Sequence, residues 1–212
     1  MRSRIRLKKR TVPCGESRRR NPKSLMSREL KIKIMATIDV LCVVDTNGLL
    51  AANLPAGTID NPTNLGSYQN SDAFVFMICD GQFVVNNQGK SELTLQASVG
   101  DTIRWTITDP STGMNTDQTS HSFSTILYGF SNNNSGGGSI SQPVLSSLPA
   151  ISYYNSLDSD TTPAAAAYMC SAWTSSLLTT GTVQYAWSFQ VIDCVSGSVV
   201  GYYCWDPFIN IQ

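Results

Sequence analysis

The sequence predicts an all-β protein, a single-domain antiparallel β-sandwich. Apolar and polar residues alternate over residues 93–99, again over 103–107, and strictly over 183–191. This period of two is typical of strands that are buried on one face. Many short strands separated by Gly and Asn turns, with little helical periodicity, favour a sandwich.

Residues 93–107 form the predicted centre of this domain. Gly100 and Asp101 separate its two strands and predict a tight corner, where a glycine can supply the positive φ that a hairpin turn often needs. Trp105 carries a large apolar ring towards the core, and Trp205 is the second predicted core anchor.

The first strand follows from an almost continuous apolar run at residues 38–44, which is typical of a strand buried on both faces. Asp45, Asn47 and Gly48 then predict a turn that side-chain-to-backbone hydrogen bonds hold in place. Residues 49–72 are rich in Asn, Pro, Gly and Ala, so we expect a long loop there.

Further strands are predicted at residues 73–79, 82–85 and 122–130, and surrounding context favours a strand at 164–170. The low-complexity run at 131–141, rich in Ser, Asn and Gly, predicts a flexible loop.

The end of the chain predicts a hairpin. The strand at 183–191 is followed by a Ser-Gly-Ser turn at 196–198, and a second strand covers 199–205. Asp206 and Pro207 should end that strand, because proline cannot donate a ladder hydrogen bond.

Charge divides the chain at residue 35. Residues 1–34 hold 13 basic and 2 acidic residues, a net charge of +11, whereas residues 35–212 hold 2 basic and 13 acidic residues, a net of −11. We therefore expect a domain at 35–212 and a basic extension at 1–34 that is disordered or lies upstream of the native start, with Met1, Met26 and Met35 as candidate starts. A basic arm that binds nucleic acid or anionic membrane is the alternative for this extension alone. No stretch reaches transmembrane length.

The six cysteines do not predict a disulfide framework, since no secretion signal and no Cys-x-x-Cys spacing is present. Cys42 and Cys79 lie inside apolar strands, and the last turn places Cys194 opposite residue 199 or 200 rather than Cys204. Reduced thiols in a cytoplasmic protein are the expectation.

The sequence offers few residues that could bind a metal ion. The only histidine is His121, which excludes a blue-copper centre, and clustered zinc ligands are missing. Asp158 and Asp160 could offer loop oxygens to calcium, but no full ligand loop surrounds them. We predict no metal and no cofactor.

Enzyme activity has one candidate, the Ser-His-Ser run around His121, which suggests a hydrolase. No Gly-x-Ser-x-Gly elbow is present, and neighbouring residues on a strand point to opposite faces. A non-enzymatic protein is therefore predicted, with a hydrolase as the third alternative.

Two binding functions remain. Residues 35–212 hold one Lys and one Arg, so edge strands lack the cationic residues that block edge pairing, which favours self-assembly into homo-oligomers. The alternative is a lectin-like, carbohydrate-binding sandwich, in which Trp173, Tyr153 and Tyr154 could stack on sugars.

Five motifs resemble the AidA/PixA family of bacterial inclusion-body proteins in order and spacing. They are ATIDVLCVVDTNGLL, DNPTNLGS, AFVFMIC, VGDTIRW and GYYCWDPFI. The resemblance covers nearly all of 35–212 and implies a cytoplasmic, non-enzymatic sandwich associated with inclusion bodies or with quorum- or stationary-phase-regulated expression. The methionine richness of some inclusion-forming members is not shared, since this chain has six Met.

Overall fold

Two β-sheets packed face to face make up the protein in a computed structural model that describes residues 35–67, 70–110, 123–156 and 159–212. The strands are β1 Thr37–Val44, β2 Thr63–Asn64, β3 Val75–Cys79, β4 Val84–Asn86, β5 Thr94–Ala97, β6 Thr102–Thr108, β7 Phe123–Gly136, β8 Ser139–Ile140, β9 Val144–Ser156, β10 Ser159–Thr179, β11 Gly181–Asp193, β12 Val199–Trp205 and β13 Phe208–Ile211. One helix, α1 Thr46–Ala51, and two short 3₁₀ turns, Ser71–Ala73 and Gly81–Phe83, accompany them. The all-β prediction is confirmed.

Both sheets are mixed rather than purely antiparallel. The first sheet has the order β3-β1-β6-β10, and β8 and β9 also pair with β10. The second has the order β2-β12-β11-β13-β5-β4, and β7 also pairs with β11. Three pairs are parallel, namely β1 with β6, β2 with β12, and β5 with β13. Parallel neighbours arise because the chain crosses between the sheets instead of turning back beside the same strand.

The corner at Gly100 and Asp101 is such a crossing and not a hairpin. β5 belongs to the second sheet and β6 to the first, so the two strands do not pair. Gly100 has a φ of +93°, and the buried Asp101 carboxylate accepts hydrogen bonds from the backbone N–H groups of Ser98 (2.8 Å) and Ala36 (3.0 Å). The carboxylate thereby fixes the passage from one layer to the other.

The turn expected at Asp45, Asn47 and Gly48 is the start of α1. Asp45 is the N-cap, and its Oδ1 accepts from the backbone N–H of Gly48 at 2.9 Å. The buried Thr46 donates from its backbone N–H (3.1 Å) and from its hydroxyl to the buried carboxylate of Asp109. In an Asx turn and in an N-cap alike, an Asp side chain accepts from a backbone N–H two or three residues further on, which is why the pattern did not distinguish them.

The prediction of a flexible loop at residues 131–141 is wrong, because β7 continues to Gly136 and β8 follows. β7 pairs with β11 along nearly the whole length of β11, which satisfies the backbone groups on that edge of β7. Gly136, Gly138 and Gly181 let two backbones approach closely, and a Cβ on Gly138 would lie 2.6 Å from the carbonyl oxygen of Gly181. These glycines therefore permit packing rather than flexibility.

Three tryptophans occupy the core between the sheets. Trp105 and Trp187 are 0% exposed and Trp205 is 1% exposed. The Trp105 Nε1–H donates to the Tyr185 hydroxyl at 3.1 Å, and the Trp205 Nε1–H donates to the Met77 sulfur at 3.3 Å. The terminal hairpin of β11 and β12 is present as predicted, with Trp187 opposite Trp205.

Three sequence predictions fall outside the described residues. These are the basic extension at 1–34, the hydrolase candidate His121 and the calcium candidate Asp158. The described residues from 35 onward belong to one compact unit. Across the described ranges, no helix is both long and apolar enough to cross a membrane.

Candidate functional site

The most distinctive surface is the hairpin formed by β9 and β10. β10 pairs with β6 only at residues 173–176, whereas residues 163–174 pair with β9. Over the described chain, residues 163–172 thus form a two-stranded ribbon with β9, without β6 beside them. We call residues 144–156 and 159–172 the ribbon.

Proline placement agrees with exposed strands in the ribbon. Pro149 lies opposite Met169, and Pro163 lies opposite Asn155. Proline lacks a donor and is found on edge strands, where a missing ladder hydrogen bond can be tolerated. An isolated two-stranded ribbon is marginally stable in water, so covering one of its faces would stabilise it.

One ribbon face continues the core face of the first sheet. Trp173, which packs against the core, lies opposite Leu145, and cross-strand partners point to the same side. By the alternation of side chains, the same side carries the following residues, which we call the core-side face: Leu145, Ser147, Pro149, Ile151, Tyr153, Ala165, Ala167, Met169 and Ser171. Going along this face away from Trp173, the side chains change from packed against the core to exposed to solvent.

The core-side face is apolar and exposed. Leu145 is 53% exposed, Ile151 and Met169 are each 64% exposed, and Tyr153 is 73% exposed. Apart from Asp160, the described ribbon contains no charged residue. Contiguous exposed apolar surface of this kind marks an interaction site in soluble proteins.

A cleft of about 560 Å³ lies between the ribbon and the outer face of the first sheet. Leu41, Ile78, Leu148 and Cys170 line it together with Asp39 and Arg104. Arg104 donates two hydrogen bonds to Asp39, at 2.6 and 2.9 Å, and this hydrogen bonding raises the pKa of the guanidinium above its ordinary value. Asp39 and Arg104 therefore satisfy each other, and the exposed pair contributes less than about 1 kcal/mol. Asp80, the third charged residue of the lining, accepts hydrogen bonds from Gln82.

A second cavity of about 260 Å³ lies where the ribbon meets β7. Ile107, Leu127, Met169 and Trp173 line it, and the buried Thr125 hydroxyl in its wall has no hydrogen-bond partner. The ribbon and β7 thus both contribute to the lining of this cavity.

The predicted sugar-stacking aromatics do not come together. Trp173 is partly buried, donates from Nε1 to the Leu127 carbonyl at 3.2 Å and packs 5.5 Å from Trp187 between ring centroids. Tyr153 lies opposite Ala165, eight positions along β10 from Trp173, or about 26 Å at strand spacing. Tyr154 is opposite Ala164, and its side chain lies outside the described part.

The remaining candidate residues are Asp206, Pro207 and Asp160, and each lies in a strand or directly next to one. Asp206 accepts from the Gln184 amide at 2.7 Å, and burial raises the pKa of this carboxyl above its ordinary value. Pro207 follows it between β12 and β13, and its carbonyl accepts from the Tyr185 N–H at 3.1 Å. The calcium candidate Asp160 lies in β10. In the part of the chain that the structure describes, no three His, Cys, Asp or Glu residues are grouped so that they could hold a metal.

The family profile of the PixA inclusion body proteins matches residues 36–211. The chain belongs to this family. No curated protein matches it. The fold is shared with the crystal structure of an inclusion body protein, PixA, from Burkholderia cenocepacia, at a TM-score of 0.66 and 21% identity, over 86% of this chain and 99% of that one.

A cysteine protease inhibitor from Entamoeba histolytica is a much weaker structural match. Its TM-score is 0.24 at 16% identity, over 56% of this chain and 86% of the inhibitor. Likeness at that level supports no argument about the PixA-family chain.

Sequence reasoning missed the ribbon of this PixA-family protein. Residues 143–163 show no clear alternation of apolar and polar residues, because both faces of the ribbon carry apolar and small side chains. The available signal was charge, because Arg104 is the last Lys or Arg in the chain. A long cation-free stretch of β-forming residues indicates unprotected strands.

The thiols give a first test of the described fold. Cys42, Cys79, Cys170, Cys194 and Cys204 are free, Cys42 and Cys79 are buried, and Cys194 is exposed. Burial raises the pKa of Cys79 to about 11 and that of Cys42 further still. Because the thiolate is the reactive form, we expect Cys194 to react first with Ellman's reagent at pH 8, and the two buried thiols only on unfolding.

The thiol measurement is best made on a Cys14→Ser background, since Cys14 lies outside the described residues. Cys194→Ser should remove the fast phase. Rapid labelling of Cys42 or Cys79 in the folded protein, located by peptide mapping, would contradict their burial.

Proposed function

We propose that this protein is a non-enzymatic, self-associating inclusion-body protein that accumulates in the cytoplasm. The observation that carries the proposal is the ribbon, whose core-side face exposes Leu145, Ile151, Tyr153 and Met169. Membership of the PixA inclusion body family supports the same function. Quorum- or stationary-phase-regulated expression belongs to the proposal because the family resemblance implies it.

Charge supports association through the ribbon rather than through the body. The full chain is formally neutral, but residues 35–212 alone carry a net charge of −11, so the domains of two copies repel one another at neutral pH. The described ribbon residues carry a single charge, Asp160. Contact through the ribbon therefore joins copies where repulsion is weakest and apolar burial is largest.

Light scattering over a concentration series of the full-length protein tests the proposal. Replacing residues 149–169 by Asn-Gly joins Leu148 to its cross-strand partner Cys170 through a two-residue turn. None of the described residues that this removes is buried, so the fold should persist. We expect the association threshold of this shortened variant to rise at least about tenfold.

The matched control is Val195→Glu, which changes an exposed apolar residue (58%) in the turn between β11 and β12. It should leave the association threshold unchanged. A full-length protein that stays strictly monomeric at high concentration would refute self-association, and unchanged assembly of the shortened variant would move the contact elsewhere.

The carbohydrate alternative has less support, because Trp173 is packed against the core while Tyr153 stands about 26 Å away along the ribbon. Saturable binding on a glycan array, competed by free sugar, would favour this alternative.

A further inference from the structure

We propose that two copies of this chain pack the core-side faces of their ribbons against each other, like on like, and that this twofold pair is the unit of assembly. The inference rests on the proposed function and adds to it the surface through which copies associate, the core-side face, and the partner that covers this surface. The occupant is the ribbon of a second copy.

The change in burial along one face points to a missing layer. Within the body, the core face of the first sheet is covered by the second sheet, and Val40 and Trp105 are 1% and 0% exposed. On the same face of the ribbon, Ile151 and Met169 are each 64% exposed. A sheet with an apolar face buries that face against another layer, and in a sandwich the other layer is a second sheet.

The exposed area is large enough for a specific pair. Leu145, Ile151, Tyr153 and Met169 are all more than half exposed. At about 150–250 Å² for each large side chain, they expose roughly 500 Å² of apolar surface. Two copies would together bury roughly 1,000 Å² from these side chains alone, which is the lower bound for a specific interface.

Chemistry favours a second copy as the occupant. The core-side face holds no charged side chain and, apart from Ser147, Ser171 and the Tyr153 hydroxyl, no polar one. A charged partner would lose solvation there without gaining an ion pair. A second ribbon supplies an equally long, equally neutral sheet, and self-complementary contacts between identical patches close as twofold dimers.

Sedimentation equilibrium on the full-length protein tests this with paired substitutions at neighbouring positions. Ile151→Glu and Met169→Glu change the core-side face, while Ser152→Glu and Tyr168→Glu place the same charge on the opposite face. Each core-side glutamate would be buried at the interface without a partner. We expect the first two to raise the dimer dissociation constant about 100-fold and the controls less than about threefold.

Near-ultraviolet circular dichroism establishes that each variant is folded. If all four substitutions weaken the dimer equally, or none does, the core-side face is not the interface and the inference fails. If the protein still forms large particles through another surface, the proposed function survives without this inference. A strictly monomeric parent protein refutes both.

Binding to neutral phosphatidylcholine vesicles is the alternative outcome. Vesicle binding that Ile151→Glu abolishes and Ser152→Glu leaves intact, in a protein whose oligomeric state neither changes, would assign the face to a lipid surface and overturn the inference.

Discussion

Replacing Trp105 with alanine should lower the free energy of unfolding by about 3–5 kcal/mol, because it deletes a fully buried ring and leaves a cavity. The ring centroid of Trp105 lies 5.4 Å from that of Trp187 and 5.5 Å from that of Tyr185. The substitution also leaves the buried Tyr185 hydroxyl without the donor that it has at 3.1 Å. Urea unfolding followed by tryptophan fluorescence gives the change, and the melting temperature should fall by about 6–20 °C.

Two further substitutions separate the contributions at this site. Trp105→Phe keeps most of the ring and loses the indole N–H, whereas Tyr185→Phe removes only the acceptor. Each should cost about 1–3 kcal/mol, less than Trp105→Ala. Should Trp105→Ala unfold at the same urea concentration as the parent, Trp105 is not a core anchor.

Replacing Gly181 with alanine should cost about 2–5 kcal/mol for two physical reasons. Gly181 has a φ of +131°, a conformation that an L residue adopts only with strain. An added Cβ would also lie 2.8 Å from the carbonyl oxygen of Gly136, where the end of β7 passes the start of β11. The rigid backbone on both sides cannot yield as a flexible side chain could.

Gly137→Ala is the matched control for this prediction. Gly137 also has a positive φ, of +78°, but nothing lies within 4 Å of its added Cβ. It should cost about 1–2 kcal/mol, from backbone strain alone. Equal urea midpoints for the two variants would show that the close approach of Gly181 to residues 136–138 is absent.

Local pattern was enough to predict strands and not enough to predict their partners. The alternation in residues 183–191 predicted β11, since period two records which face is buried. The same rule found β5 and β6 on either side of Gly100. It could not show that they lie in different sheets, because alternation fixes a face and carries no information about the neighbouring strand.

The prediction made from composition failed at residues 131–141, because glycine can either make a loop flexible or let two backbones pack closely. The Gly-rich run at 131–141 was predicted to be flexible, yet Gly136 and Gly138 are needed for backbone contact with residues 181 and 182. That partner is distant in sequence, so composition alone could not indicate it.

The candidate site was the least predictable part. Trp173 was a candidate sugar platform because its surroundings lack a pattern, and the structure packs it beside Trp187. The ribbon's exposed face looks like a core face at residue level, since Ile151 and Met169 are typical core residues. Whether a second layer covers such a face depends on where the other sheet ends, which no local sequence property specifies.

The parallel pairing of β13 with β5 has a consequence for how the chain is made. Seven of the described strands separate β5 from β13 in the chain, so β5 has no partner on that side until β13 has left the ribosome. Pairing between segments so distant in sequence forms slowly. Until it forms, the unpaired edge of β5 and the apolar faces of the sheets are exposed to other nascent chains, which are present at high local concentration. Nascent chains on one messenger therefore have a period in which they can associate before they fold, and chaperone supply during synthesis should influence how much of the protein reaches its native sandwich.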